Sequence, residues 1–93
     1  MAKFKLLFTE QAKRDIAKHK KAGQKSTLKR LDKIFKELSI HPYTGTGNPE
    51  QLKHQLTGFW SRRINKKDRL IYEVEENIVV VSVISAMGHY DAK

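Results

Sequence analysis

Residues 47–74 read GNPEQLKHQLTGFWSRRINKKDRLIYEV, and this stretch decides how the second half of the chain folds. Within it, residues 59–64 and 69–75 contain aromatic and β-branched side chains, whereas residues 65–68 (NKKD) are polar. Two strand-forming segments on either side of a short polar turn predict a β-hairpin. The same stretch concentrates a carboxylate, a histidine and several cations, so it is also where we look first for a functional site.

The two faces of this predicted hairpin differ in character. Side chains alternate between the faces of a strand, and the positions that share a face with Trp60 look like core. They are Trp60, Arg62, Ile64, Leu70, Tyr72 and Val74. On the other face, Arg63 and Arg69 are predicted to stand opposite each other across the turn. Because Arg62 and Arg63 point to opposite faces, only one of them can enter any one site, and we expect the other to be solvated.

The N-terminal part of the chain predicts one strand and one helix. Residues 3–8 (KFKLLF) read as a strand, and Thr9 is a suitable N-cap for a helix that runs to about Lys21. Gly23 then acts as a stop signal. The apolar stripe of this helix is thin, so we expect shallow packing and a surface position for His19. The stripe consists of Ala12, Ile16 and Ala17.

A second helix has a stronger apolar face, which ends before Pro42 because the residue preceding a proline leaves the helical region. This face consists of Leu28, Leu31, Ile34, Phe35 and Leu38. Residues 43–49 follow as a loop, residues 51–56 as a short extended piece and residues 78–85 as a buried strand. The order β-α-α-β-β-β predicts one α+β domain over residues 1–93, an antiparallel β-sheet with two N-terminal helices packed on one face.

Net charge is the dominant feature of the composition. Nineteen Lys and Arg oppose ten Asp and Glu, which gives +9 and a pI near 9.9. Such a field attracts polyanions, so nucleic acid is the first class of partner, and an anionic membrane surface or an acidic protein is the alternative. No apolar run approaches the roughly 20 residues of a membrane span, and we expect no signal peptide. The lack of cysteine excludes disulfides and is compatible with a cytoplasmic protein.

RNA can be cleaved without a metal or other cofactor if side chains supply a base, a cation and an acid within hydrogen-bond reach. Glu50 follows the loop and is a candidate base, while Arg63 and Arg69 flank the turn as candidate cations. His89, just after the last strand, is a candidate acid. The four histidines are scattered and show no recognisable metal-ligand spacing. By residue type alone, Glu50 could equally be an exposed carboxylate in a loop. Without the resemblance described next, the residues predict only a small basic α+β domain that binds a polyanion.

Four motifs run through the second half of the chain: PEQLKH at residues 49–54, LTGFWSRRI at 56–64, RLIY at 69–72 and GHY at 88–90. Together they resemble the YoeB (Txe) family, which are toxins of bacterial toxin–antitoxin modules within the RelE superfamily. The length and the order of helices and loop also fit, so the resemblance covers nearly the whole chain. Two departures are Met87, where family members often carry Lys or Arg, and the residues DAK after Tyr90.

The resemblance implies a ribosome-dependent mRNA endonuclease that needs no cofactor and inhibits translation. Carried over by position, Glu50 resembles the general base, Arg69 the cation that stabilises the transition state, and His89 the general acid. The positions that resemble residues holding the scissile phosphate and neighbouring bases are Lys53, Arg63 and Tyr90. The implied chemistry is attack by the 2′-hydroxyl, which leaves a 2′,3′-cyclic phosphate or a 3′-phosphate and a 5′-hydroxyl.

The resemblance also implies partners. These are an antitoxin of the YefM/Phd type, the ribosome with its mRNA, and a second copy of the toxin in a homodimer. Two rival functions are a ParE-like toxin directed at gyrase and a non-catalytic protein that binds RNA or the ribosome. The combination of Glu50, Arg69 and His89 favours the nuclease, since a binding protein needs neither an acid nor a base. The thin apolar stripe of the first helix argues against a membrane-surface protein.

Overall fold

In the computed structural model, which describes residues 3–88, two helices and a five-stranded sheet follow the predicted order. The elements are β1 (Lys5–Phe8), α1 (Glu10–Ala22), α2 (Lys25–Leu38), β2 (Glu50–Gln51), a 3₁₀ helix (His54–Leu56), β3 (Phe59–Arg63), β4 (Arg69–Glu75) and β5 (Val80–Ser85). The strands lie in the order β1-β5-β4-β3-β2. The predicted α+β class is confirmed.

The sheet is mixed. The prediction of an antiparallel sheet is therefore wrong for one ladder, the pairing of β1 with β5. The ladders β2–β3, β3–β4 and β4–β5 are antiparallel. β1 instead runs parallel to β5, with Lys5 opposite Val80 and Phe8 opposite Val83. Periodicity indicates that a segment is a strand, but it carries no information on the partner or the direction of pairing. The direction of β1 is therefore a property of the assembled fold.

Both helices pack on one face of the sheet, as predicted, and the hydrophobic core lies between the helices and that face. The buried core residues of the helices are Ala12, Leu31, Ile34 and Leu38, and those of strands β4 and β5 are Leu70, Tyr72, Val81 and Val83. Phe8 and Phe35 add an edge-to-face ring contact with centroids 5.3 Å apart. The opposite face, free of helices among residues 3–88, is left for polar side chains.

Helix α1 begins where the sequence predicts, but its buried face is partly polar. The hydroxyl of Thr9 accepts a hydrogen bond from the N–H of Ala12 at 3.0 Å. Asp15 and His19 are only 3% and 5% exposed, so the expected surface position for His19 is wrong. Ala12, Asp15, Ile16 and His19 have the i, i+3, i+4, i+7 spacing of one helix face. Helix geometry therefore carries both polar side chains toward the sheet.

The bounds of β2 and β5 differ from the prediction. The extended piece expected at residues 51–56 is only the two-residue strand β2, and the 3₁₀ helix follows it. The last strand begins at Val80, because residues 76–79 form the turn that connects β4 to β5. Ile78 and Val79 are consequently 58% and 37% exposed in that turn. A run of β-branched residues predicts a strand but does not mark where the chain reverses.

Candidate active site

Glu50, Ser61 and Arg69 lie together on the sheet face opposite the helices. Glu50 stands directly across from Ser61 in the β2–β3 ladder, so both side chains are on the same face. The Arg69 guanidinium reaches over this pair, with its Nη1 3.4 Å from Ser61 Oγ and 3.8 Å from Glu50 Oε1. The Glu50 side chain is 53% exposed and that of Arg69 is 21% exposed. An anion can therefore approach both groups from solvent.

Arg63 stands directly opposite Arg69 in the β3–β4 ladder, which confirms the register predicted from the sequence. Like charges at directly opposed positions repel each other, and Glu50 offsets part of that repulsion through its ion pair with Arg69. Arg63 is exposed to solvent. The two guanidinium groups concentrate positive charge at one end of the hairpin, where a bound phosphate would relieve the repulsion.

A cleft of about 330 Å³ adjoins Arg63, between α2 and the connection from β3 to β4. Its lining includes the cationic residues Arg30, Arg63 and Lys66 and contains no carboxylate. The positive charge near Arg69 therefore continues around the end of the hairpin toward α2. Lys53, the remaining cation predicted to contact RNA, is exposed just before the 3₁₀ helix.

The loop that leads to Glu50 is tied to the sheet by Arg62. This arginine is fully buried, so the expectation that it would be solvated is wrong. All five of its N–H groups donate hydrogen bonds of 2.6–3.2 Å. The acceptors are Glu37 Oε1, the Tyr72 hydroxyl and the carbonyl oxygens of His41, Thr44 and Thr46. Three carbonyls of residues 41–46 are thus held by a single side chain that projects from β3.

Glu37, near the end of α2, supplies the counter-charge of Arg62. We call Arg62, Glu37 and their hydrogen bonds to residues 41–46 the anchor of the loop. The two carboxylate oxygens of Glu37 accept hydrogen bonds from the backbone N–H and the hydroxyl of Thr46, both at 2.7 Å. Burial alone would raise the pKa of Glu37, but the hydrogen bonds from Thr46 and Arg62 and the charge of Arg62 outweigh it and lower the pKa below 4.5. The anchor is therefore an ion pair at neutral pH.

Gly47 brings the same loop against β3. The N–H of Arg63 donates to the Gly47 carbonyl at 2.7 Å, and Gly47 has a φ of 86°. A Cβ at this position would lie 2.7 Å from the Arg63 carbonyl oxygen, too close for any other residue without a backbone shift. This close approach starts the chain along the edge of β3, which it follows as β2 from Glu50.

The C-terminal part of the chain reaches the same site from β5. The N–H of Arg69 donates to the Gly88 carbonyl at 3.0 Å, and the N–H of Gly88 donates to Asp68 Oδ1 at 2.9 Å. Gly88 therefore lies beside the first residue of β4. His89 and Tyr90, predicted as the acid and as an RNA contact, lie outside the described residues and follow Gly88 in the sequence.

Two further kinds of feature are missing from residues 3–88, a cluster of metal ligands and a membrane-spanning helix. In this range no three or more His, Asp or Glu side chains are arranged so that they could hold a metal ion. Neither α1 nor α2 combines the length and the apolar character needed to cross a membrane.

Sequence reasoning missed the polar residues that position the site. Arg62 shares a face with apolar residues, and an arginine at a core position indicates a buried carboxylate partner. This signal could have predicted that Arg62 has a carboxylate partner, but it does not identify Glu37 as that partner. Ser61, between Glu50 and Arg69, has no such signal, because a serine on a strand is common.

The chain is similar in sequence and in structure to known bacterial toxins. A profile of the YoeB-like toxin of bacterial type II toxin–antitoxin systems matches residues 8–90. The chain is 37% identical over 86 residues to Toxin YoeB of Synechocystis, an alignment that covers 92% of this chain and 96% of that protein.

Solved structures show the same likeness. A YoeB/ParE toxin from Agrobacterium tumefaciens superposes with a TM-score of 0.81 at 28% identity, covering 94% of this chain and all of that one. A YoeB dimer from Staphylococcus aureus gives 0.78 at 33% identity, covering 96% of this chain and all of that one. A heterotetrameric YoeB–YefM complex from the same species gives 0.75 at 34% identity, with the same coverage.

Proposed function

The chain belongs to the YoeB-like toxins of bacterial type II toxin–antitoxin systems, and we propose that its activity is ribosome-dependent cleavage of mRNA. The observation that carries this proposal is the pairing of Glu50 with Arg69 on the helix-free face of the sheet, 3.8 Å apart and open to solvent. The same arginine binds the Gly88 carbonyl, next in sequence to the candidate acid. A net charge of +9 favours RNA as the substrate.

In the proposed reaction, the 2′-hydroxyl of the nucleotide before the cut attacks the adjacent phosphorus. Glu50 takes the hydroxyl proton as the P–O2′ bond forms. Arg69 stabilises the charge that develops on the non-bridging oxygens, as a preorganised cation does in other sites. The P–O5′ bond then breaks, and His89 gives a proton to the departing oxygen. The products are a 2′,3′-cyclic phosphate, or the 3′-phosphate formed when it opens, and a 5′-hydroxyl.

The remaining candidate residues would hold the RNA rather than react. Arg63 is placed to bind the scissile phosphate or its neighbour, because it stands opposite Arg69. Lys53 and Tyr90 are proposed to contact adjacent nucleotides. The cleft that includes Arg30 and Lys66 offers a positively charged path for the flanking RNA backbone.

Single-turnover cleavage of mRNA on programmed ribosomes tests this function. We expect Glu50→Gln and Arg69→Ala each to slow cleavage by at least about a hundredfold, since a general base and a preorganised cation each contribute on that order. Ribosome binding should be largely kept, because Glu50→Gln preserves shape and removes only basicity. An mRNA with one 2′-deoxynucleotide at the cleavage position should resist the enzyme, since it lacks the nucleophile.

Matched controls are available on α1. Glu10→Gln and Arg14→Ala change the same residue types on the exposed surface of that helix, and both should cleave at the wild-type rate. Cleavage by Glu50→Gln at the wild-type rate, or of the 2′-deoxy substrate, would contradict the mechanism. Products with a 5′-phosphate would contradict it as well, because attack by the 2′-hydroxyl leaves the 5′ oxygen unphosphorylated.

We also propose a YefM/Phd-type antitoxin as the physiological partner and a homodimer as a second state. The support is that the YoeB relatives from Staphylococcus aureus have been solved both as a dimer and in complex with YefM. A strongly basic toxin fits an acidic inhibitor that competes with RNA for the same surface. We propose a cytoplasmic location as well, because the proposed substrate is mRNA on translating ribosomes.

A further inference from the structure

The backbone that leads to residue 89 is held by side chains from α1. The N–H of Ala86 donates to Asp15 Oδ2 at 2.9 Å, and His19 Nε2 lies 2.7 Å from the Ala86 carbonyl oxygen. Asp15 and His19 are one helical turn apart and so reach the two polar groups of the same residue. All three residues are at most 5% exposed. The first residue after β5 is thus fixed by a helix rather than by a neighbouring strand.

Gly88 is held in the same way from the other side. Its N–H donates to Asp68 Oδ1 and its carbonyl accepts the N–H of Arg69. Gly88 also has a φ of 80°, in the left-handed region that favours glycine, so its conformation differs from that of the strand before it. Burial would raise the pKa of Asp68, but the hydrogen bond from Gly88, the bond from Asn65 and the charges of His19 and Lys67 outweigh it and lower the pKa below 3.8. Asp68 therefore remains a charged acceptor at neutral pH.

A β-bulge precedes these contacts. Ile71 pairs with Ser85 and Tyr72 pairs with Val83, so Ile84 is an extra residue in β5. The Ile84 carbonyl accepts a hydrogen bond from the Thr9 hydroxyl at 2.6 Å. Bulges occur next to active sites, where they re-aim the chain that follows them. Here the backbone is held by hydrogen bonds at Ile84, Ala86 and Gly88, and the last of these directly precedes residue 89 in the sequence.

Stability alone does not call for such groups. A buried carboxylate and a buried imidazole each lose hydration, and apolar packing of the same volume would serve the core as well or better. The His19 side chain meets the backbone at Ala86, and the Asp68 side chain meets it at Gly88. Their arrangement therefore fixes the path of residues 86–88.

We propose that Asp15, His19 and Asp68 are positioning residues that hold residues 86–88 and thereby set the point from which His89 protonates the leaving oxygen. This inference rests on the proposed function, because it assigns a task to the acid of that mechanism. None of the three touches the reacting atoms. They act through the backbone, so their effect depends on whether His89 is present.

Single-turnover cleavage on programmed ribosomes gives the first test. His19→Leu and Asp68→Ala remove the donor and the acceptor, and each should slow cleavage by roughly 10- to 100-fold, since a displacement of about 1 Å can cost 10²-fold. Ribosome affinity should stay within about twofold of the wild type. His19→Gln and Asp68→Asn retain a donor or an acceptor at nearly the same place and should restore most of the rate. Asp32→Asn, an exposed carboxylate on α2, is the matched control and should be unchanged.

A double-mutant cycle separates positioning from a general loss of structure. Asp68→Ala should slow cleavage no further in a His89→Ala background, because there is no acid left to misplace. In a Glu50→Gln background, Asp68→Ala should lower the cleavage rate by the same factor as it does in the wild type. If Asp68→Ala costs the same factor in both backgrounds, the positioning role is wrong although the proposed function stands. If His89→Ala itself cleaves at the wild-type rate, the acid assignment fails, and the positioning role fails with it.

Gly88→Ala provides an independent test of the positioning role if His19→Leu or Asp68→Ala does not fold. Gly88 is exposed and a Cβ there would meet nothing within 4 Å, so this change strains only the local backbone. It should lower the cleavage rate by at least about tenfold while ribosome binding is kept, and it should add nothing to His89→Ala. Unchanged cleavage by Gly88→Ala, with a thermal midpoint near that of the wild type, would overturn the proposal.

Discussion

At the scale of single residues, the most informative side chain is one whose charge is completely buried. Arg62 sits among apolar neighbours on the core face of β3 and donates five hydrogen bonds, one of them to the carboxylate of Glu37 at 2.6 Å. Its planar guanidinium presents all five donors in a fixed arrangement, which lysine cannot reproduce. Through these bonds a core residue determines the course of the loop that ends at Glu50.

We predict that Arg62→Met destabilises the protein by about 3–5 kcal/mol, because it removes the cation from the partly buried Glu37 carboxylate and leaves the other acceptors of Arg62 without their donor. Urea unfolding followed by the fluorescence of Trp60 measures the change. The double variant with Glu37→Gln should lose less than the two single variants together, since the orphaned charge is gone. Arg14→Met, at an exposed position of α1, should stay within about 0.5 kcal/mol of the wild type. A loss below about 1 kcal/mol for Arg62→Met would contradict the role of the anchor.

At the scale of elements, the residues with unfavourable backbone conformation lie in the connections and the 3₁₀ helix, outside the α-helices and strands. Asn48, His54 and Val79 all have positive φ without being glycine. Asn is several-fold enriched there, whereas a β-branched residue is a true outlier. Val79 has a φ of 56° in the turn between β4 and β5, and its carbonyl accepts the N–H of Lys5. The turn thus combines an unfavourable residue with a contact that helps to align β1 beside β5.

Val79→Gly should stabilise the protein by about 0.5–1 kcal/mol. The left-handed conformation costs an L-residue roughly 1–2 kcal/mol, and part of that gain is offset by the greater freedom of glycine in the unfolded chain. Thermal unfolding measured by circular dichroism detects the difference. Ile78→Gly, at the neighbouring exposed position without positive φ, is the control and should be neutral or destabilising. Equal losses for the two variants would show that the turn relieves its strain in another way.

At the scale of the whole molecule, the basic net charge and two hydrogen-bonded carboxylates both make the folded state less stable as pH falls. The chain carries +9 at neutral pH, and protonation of any carboxylate adds to its self-repulsion. The pKa values of Glu37 and Asp68 are both lowered in the folded state, from 4.5 and 3.8. Both groups hold backbone segments that flank the candidate site, one before Glu50 and one before residue 89.

We therefore predict that stability is lost on the acid side. A group whose pKa is lowered by folding contributes its full stabilisation above its unfolded pKa and loses it as pH falls through the folded pKa. For Glu37 and Asp68 this window opens below about pH 5. Urea midpoints measured from pH 7 down to pH 3 should fall, and Glu37→Gln should show a shallower fall than the wild type. Asp32→Asn should follow the wild-type curve. An equally steep fall for Glu37→Gln would contradict the assignment.

The sequence by itself determined the elements, their order and the two faces of the β3–β4 hairpin. Backbone geometry fixes a period of two in a strand and 3.6 in a helix, so local pattern was enough to place Arg63 opposite Arg69. It was also enough to recognise the family from ordered motifs. The tertiary structure decided that β1 runs parallel to β5 and that Arg62, Asp15 and His19 are buried. Such features depend on partners far apart in the chain, as with Asp15 and Ala86, separated by 71 positions. A local pattern assigns a polar residue to one face of its element, but only the assembled fold supplies the group that it binds and so decides whether it is buried.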